Sequence, residues 1–278
     1  MNSTLLEKMN LFFYLKPVSI LSCLAFIVAC NDGDTSSQQS TSKPLPKLNN
    51  TGITWRGLIP KGTDEECTPV EPFAQQDCDT SNKALPNAGF HYMKVDTNGN
   101  ELPSNAKDWS CVVDEVSGFM WEVKSNSEGL HNSNDKFTWY NSNKKTNGGK
   151  IGDWNNLGNH CYGYQEGKPK TYCHTEQFVS RVNKKGLCGF NDWRLPTRTE
   201  LTTLINFGRI RPTIDTQFFP HAQSDFYWTN SPTTTRILEA WTISFEYGFT
   251  TPMRRTDTRY ARLVRTVNAA TSDQDKTQ

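Results

Sequence analysis

The sequence predicts an α+β fold that is exported, rich in loops and stapled by disulfides. Three observations carry this reading. The chain opens with the parts of an export signal. Six of its eight cysteines lie beyond residue 30 and form an even set. Strand-like runs outnumber the two stretches that carry helical caps and periodicity. Mean hydropathy is low, −0.68, while 12% of residues are aromatic, with eight tryptophans. That combination fits a secreted, loop-rich fold better than a helical bundle. A net charge of +1 gives no bulk field for nucleic acid, and no nucleic-acid partner is expected.

The export segment comes first. Lys8 and Lys16 supply its basic end, and Val18 to Val28 supply an apolar run of about eleven residues, the length of a signal-peptide core. A membrane span needs ~20 residues. Ile27-Val28-Ala29-Cys30 places a small residue before a cysteine and resembles a bacterial lipoprotein cleavage site. The resemblance implies that residues 1–29 are removed and that Cys30 becomes a lipid-bearing N-terminus. The expected location is the cell envelope, at the outer membrane or cell surface, with the membrane as a partner through Cys30. No twin arginine is present, so the general secretory route is expected, and Met9 is an alternative start. Residues 30–50 are rich in Ser, Thr, Gln, Lys and Pro and read as a flexible tether with a reach of roughly 25 Å.

Residues 51–106 read as a small β-rich segment. Ile53-Thr54-Trp55 is strand-like, and Phe90 to Val95 alternates with period two. Asp96-Thr97-Asn98-Gly99-Asn100 is a turn; it lacks the acid that a calcium loop needs at its end. Residues 107–268 read as the main domain, and 269–278 as a loose tail. Trp109 to Val113 and Phe119 to Val123 form a hairpin around Asp114–Gly118. Residues 125–160, polar apart from the island Phe137-Thr138-Trp139-Tyr140, read as a surface excursion. Thr175 is the expected cap of a first helix with Phe178, Val179 and Val182 on one face and Gly186 at its end. Thr197 opens a second helix with a capping box to Glu200; Pro196 precedes it and Leu201, Leu204 and Ile205 form its buried face. Strands follow at Phe226–Thr229, Ala240–Phe245, Phe249–Met253 and Ala261–Val267.

Among fifteen possible connectivities of six cysteines, spacing favours Cys67–Cys78, Cys161–Cys173 and Cys111–Cys188. A metal site is not expected: there is no C-x-x-C pair, and His160 and His174 fit no tight ligand spacing. No cofactor is expected either.

Several motifs occur together in order. Trp109-Ser110-Cys111 with Gly118-Phe119-Met120-Trp121-Glu122-Val123 resembles the opening of the Lcl C-terminal domain family. So do Gly129-Leu130-His131, Thr138-Trp139-Tyr140-Asn141 and Gly186-Leu187-Cys188-Gly189. The sharpest match is Asp192-Trp193-Arg194-Leu195-Pro196-Thr197 with Glu200-Leu201. Tyr227-Trp228-Thr229-Asn230-Ser231 and Arg262-Leu263-Val264-Arg265 complete it. The resemblance implies a C-type-lectin-like domain: two helices, a twisted antiparallel sheet and long loops. The family is named for a collagen-like adhesin whose terminal domain binds sulfated glycosaminoglycans, so adhesion is an expectation here. The collagen-like repeats of that adhesin are missing from this chain, and fold alone does not carry function.

No catalytic residue is expected. The chain has no G-x-S-x-G, no H-E-x-x-H and no phosphate loop. It also lacks the calcium-binding strings of sugar-binding lectins. Arg194 reads as a partner for a nearby carboxylate or aromatic face, and Trp121, Trp193, Trp228 and Trp241 read as core. The C-terminal third is rich in arginine, which suits planar contacts with sulfate, phosphate or carboxylate. Arg236, Arg254, Arg255 and Arg259 are the candidate ligand-binding residues. The expected partners are anionic glycans or surface proteins of envelope or host. The alternative is a structural, protein-binding envelope lipoprotein.

Overall fold

The computed structural model describes Asn49, Thr51 and residues 89–154 and 158–267. Cys30, the segment 1–29, the Cys67–Cys78 pair, the run Ile53-Thr54-Trp55 and the tail 269–278 lie outside the described residues. So does the tether 30–50 apart from Asn49.

Among the described residues, eight strands and two α-helices follow in the order β1 (Tyr92–Val95), β2 (Glu101–Leu102), β3 (Cys111–Asp114), β4 (Phe119–Glu122), α1 (Thr175–Lys185), α2 (Arg198–Thr202), β5 (Phe226–Pro232), β6 (Glu239–Ser244), β7 (Thr250–Arg254) and β8 (Val264–Thr266). They form two antiparallel sheets, one ordered β2-β1-β3-β4-β8 and one ordered β5-β6-β7. The last strand returns beside β4, with Trp121 opposite Val264, so the two ends of the domain close on each other.

The expected hairpin is present, with Val112 opposite Trp121. A boundary at 106/107 does not divide the fold. β1 pairs with β3 along four residues, Tyr92 to Asp114 through Val95 to Cys111, so the stretch from residue 92 belongs to the same sheet. The reason is physical: β1 alone would leave Val95, which is 1% exposed, without a face to bury.

Alternation along β3 and β4 sends side chains to two separate cores. Cys111, Val113 and Met120 meet Phe178 and Val182 of α1 on one side. Val112, Phe119 and Trp121 meet Leu201, Leu204, Ile205, Phe219 and Phe245 on the other. Each of these large side chains, fully buried, contributes about 1.5–3 kcal/mol of transfer free energy. Disulfides lock the first core: Cys111 is bonded to Cys188 across 77 residues and Cys161 to Cys173 across 12.

The aromatic island corrects the surface-excursion expectation for 125–160. Phe137 and Trp139 are 1% and 0% exposed and belong to the first core. The Trp139 indole donates to Thr229 O at 2.8 Å, and Phe137 stacks on Phe178 at 4.4 Å. The cap of α1 also differs from expectation. His174, not Thr175, is the N-cap, and its Nδ1 accepts from the Gln177 amide at 3.2 Å. Thr175 is diverted: its hydroxyl accepts from Tyr140 N at 3.0 Å and donates to Tyr140 O at 2.9 Å. The capping box at α2 forms as expected, with Thr197 and Glu200 satisfying each other's amides.

Charge is buried in the first core as well. Glu122, 0% exposed, accepts from Lys124 Nζ at 2.9 Å and Leu263 N at 2.9 Å, and its Oε1 lies 2.7 Å from His131 Nδ1. Burial alone would raise the Glu122 carboxyl. The Lys124 charge and the contacts with His131 overcome that and hold it at about 2. Lys124 in turn lies 4.4 Å over the Phe178 ring.

Candidate functional site

At the end of the three-stranded sheet where β6 begins and β7 finishes, Glu239 pairs with Arg254. The loop around residues 147–154 stands beside this end and leaves an open groove of ≈ 790 Å³. Its lining includes Lys150, Asp153, Trp154, Leu238, Arg254 and Arg255. Trp154 is 52% exposed and Leu238 56%. Lys150 and Arg254 are exposed and make no ion pair among the described residues.

The loop is held by a buried post. Arg255 is 2% exposed, its guanidinium lies 4.2 Å over the Trp139 ring, and it donates to three carbonyls: Glu239 O at 3.1 Å, Asn147 O at 3.0 Å and Lys150 O. Desolvation by burial lowers its pKa. Two backbone bonds add to this, Trp139 N to Arg255 O at 2.9 Å and Asp153 N to Trp139 O at 3.0 Å. Gly152 permits the approach. At φ +94°, a Cβ there would stand 2.2 Å from Trp139 O.

The sequence reading puts Arg236, Arg254, Arg255 and Arg259 on one ligand face, and the structure divides them. Arg254 opens into the groove. Arg236 stands beside it, its side chain 65% exposed and 3.3 Å from Glu239. Arg255 is corrected from ligand contact to structural post, because its guanidinium is buried, stacked on indole and bonded through Nε and Nη1 to three carbonyls, with the remaining Nη2 buried as well. Arg259 is corrected too: it donates to Thr258 O at 2.9 Å and Asp257 at 3.3 Å, contacts Met253 Sδ at 2.8 Å, and does not line the groove. Sequence reasoning missed Lys150, Trp154 and Leu238. The available signal was a large aromatic inside a polar, glycine-rich stretch, the same signal that marks Trp139 for the core.

The charges in and beside the groove favour anions. With Arg255 buried under the loop, the charges left in and beside the groove are Lys150, Arg236 and Arg254 against Asp153 and Glu239, three cations against two carboxylates. No group of three or more His, Cys, Asp or Glu residues that could hold a metal occurs among the described residues.

The Asp192–Leu201 motif, by contrast, is architecture. Trp193 is buried; its indole donates to Leu187 O at 3.0 Å and its amide to Asn183 at 2.8 Å. Arg194 grips Glu200 with two bonds, 2.6 and 2.8 Å, while Glu200 also caps α2. Burial would raise the Glu200 carboxyl; hydrogen bonds from Arg194 and the Thr197 amide hold it below its ordinary value. Asp192 accepts from Arg265 at 2.7 Å, which lowers its pKa, and Arg265 lies 3.6 Å over Phe190. Trp121 and Trp228 are fully buried as expected, whereas Trp241 is half-buried with Arg198 at 4.5 Å over its ring.

No curated protein and no solved structure matches the chain. A family profile does, over residues 110–265, the span that contains the hairpin, both disulfides described above, the Asp192–Leu201 motif and the groove. With that match covering more than half of its length, the chain belongs to the Lcl C-terminal domain family.

Proposed function

We propose that this protein is an extracytoplasmic binding module, tethered to a membrane through a lipid on Cys30, whose groove takes an anionic ligand with an apolar face, such as a segment of acidic or sulfated glycan. One observation carries the reading. An exposed indole, Trp154, shares an open groove with two exposed cations that have no ion-pair partner among the described residues, Lys150 and Arg254. A sugar ring can lie against the indole while its acid groups meet the cations. The pinned loop makes the groove pre-formed, which lowers the ordering cost of binding.

The test is an array of neutral, carboxylated and sulfated glycans, probed with the mature chain carrying Cys30→Ser. Binding is expected on acidic glycans and should weaken with salt. Lys150→Ala with Arg254→Ala should lower affinity on the order of 10-fold or more; unchanged binding by that variant would overturn the site. Trp154→Ala should weaken binding at every salt concentration. The anchor is tested separately, by mass spectrometry of protein extracted from membranes; an unmodified Cys30 would sink that part.

A further inference from the structure

Four large apolar side chains stand out from another edge of the head: Phe207, Ile210, Tyr247 and Phe249, at 48, 67, 46 and 47% exposure. They stand on two adjoining loops, with the Phe249 ring edge-on to Phe226. The Arg211 amide bonds to Glu246 O at 3.1 Å, and a Cβ built on Gly248 would touch the Phe207 ring at 2.9 Å, so the 207–211 loop lies along the β6–β7 turn. Single exposed apolar residues need no explanation, whereas a contiguous set does. The flanking charges are neutralised in place, Arg209 by Asp215 at 2.9 Å and Arg211 by Glu246 at 3.2 Å.

The chain leading to Cys30 joins the fold at this same edge. Asn49 donates to Asp114 at 2.7 Å and to Thr203 O, just past α2, at 3.0 Å. The Phe207 amide then donates to Thr51 O at 2.7 Å. Cys30 precedes Asn49 by 19 positions (49 − 30), and a fully extended chain of that length spans at most roughly 65 Å. That span is the upper limit on how far a bilayer holding Cys30 can stand from Asn49.

We propose that Phe207, Ile210, Tyr247 and Phe249 seat the head on the lipid surface that carries Cys30, an inference that rests on the anchoring reading of Cys30. Mixed aromatic and aliphatic side chains partition into the bilayer interface. A tether of this kind raises the local concentration of partner to about the millimolar range, so a patch that is weak in free solution suffices. The seating also has a consequence for the groove. β6 runs from Glu239 at the groove to Ser244 beside the patch, six residues or roughly 17–20 Å of strand. With the patch on the lipid, the groove faces away from it.

The test uses the lipid-free mature chain, Cys30→Ser, co-sedimented at millimolar lipid with vesicles of phosphatidylcholine, with and without phosphatidylglycerol. Binding is expected on both compositions and with little dependence on salt, since the rim is neutral. Ile210→Asp with Tyr247→Ser should lower it roughly five-fold or more, while Ile237→Asp, exposed near the groove end, should leave it unchanged. Thermal melts of each variant check that the fold survives. Failure of the Cys30→Ser chain to bind, or equal binding by the Ile210/Tyr247 variant, overturns the proposal. Because the chain tested carries no lipid, this result is independent of whether Cys30 is modified in the cell.

Discussion

Replacing His174 with Asn should remove a large part of the acid sensitivity of this fold. His174 caps α1 by accepting the Gln177 amide on Nδ1 at 3.2 Å, and a proton on that nitrogen would end the bond. Burial pushes the imidazole down from 6.5 to about 4, against smaller opposing effects of Glu176 and Asp153. The unfolded chain takes up a proton near pH 6.5, whereas the folded one refuses it until about pH 4. The stability contributed is thus complete above the unfolded value and is lost as pH falls from 6.5 towards 4. Between pH 7.5 and 4.5, linkage at 1.36 kcal/mol per unit gives a loss of about 2.5 kcal/mol from this residue alone. Asn is among the best N-caps and does not titrate, so His174→Asn retains the cap and removes the proton. Urea unfolding of both proteins at the two pH values checks it. The wild type should lose about 2.5 kcal/mol more than the variant, with all other groups cancelling in the difference. Equal losses would refute the assignment of a neutral, cap-forming His174.

Glu122→Ala should destabilise the protein by about 3–5 kcal/mol, because Lys124 then stays buried against Phe178 without its carboxylate; adding Lys124→Met should recover most of that loss in the same urea titration. Gly152→Ala should cost more than about 3 kcal/mol and abolish glycan binding together, since the new methyl would overlap Trp139 O in a left-handed backbone. Replacing the Cys161–Cys173 pair with serines should cost about 3 kcal/mol, and replacing Cys111–Cys188 about 4.5 kcal/mol, on the loop-entropy scaling for closures of 12 and 77 residues; calorimetry that reverses this order would contradict it. Arg194→Ala should lower stability by about 1–2 kcal/mol and leave ligand binding unchanged, as expected of a strut.

Much of the framework is legible in the residues because it is local. The β3–β4 hairpin follows from two apolar runs around the turn Glu115–Gly118, and the α2 start from Thr197 and Glu200 three positions apart. The short Cys161–Cys173 closure follows from spacing. Even Arg194 is readable, since its partner Glu200 lies six residues on. The cap of α1 was misplaced by one residue because Tyr140, 35 positions away, claims the Thr175 hydroxyl.

The site obeyed other rules. Trp139 and Trp154 occupy the same polar, glycine-rich stretch, yet one is sealed under Arg255 and the other is half in solvent. Arg254 and Arg255 are neighbours, yet Arg254 opens into the groove while Arg255 turns inward to carbonyls 105 and 108 residues away. Arginine content said that anions could be bound; it could not say by which arginine. That choice depends on which backbone atoms the rest of the chain brings alongside, and those distances exist only after both sheets have closed. Short-range chemistry settled the β3–β4 hairpin, the α2 cap and the short disulfide of this protein. Long-range packing alone separated the arginine that holds the groove from the one that faces it.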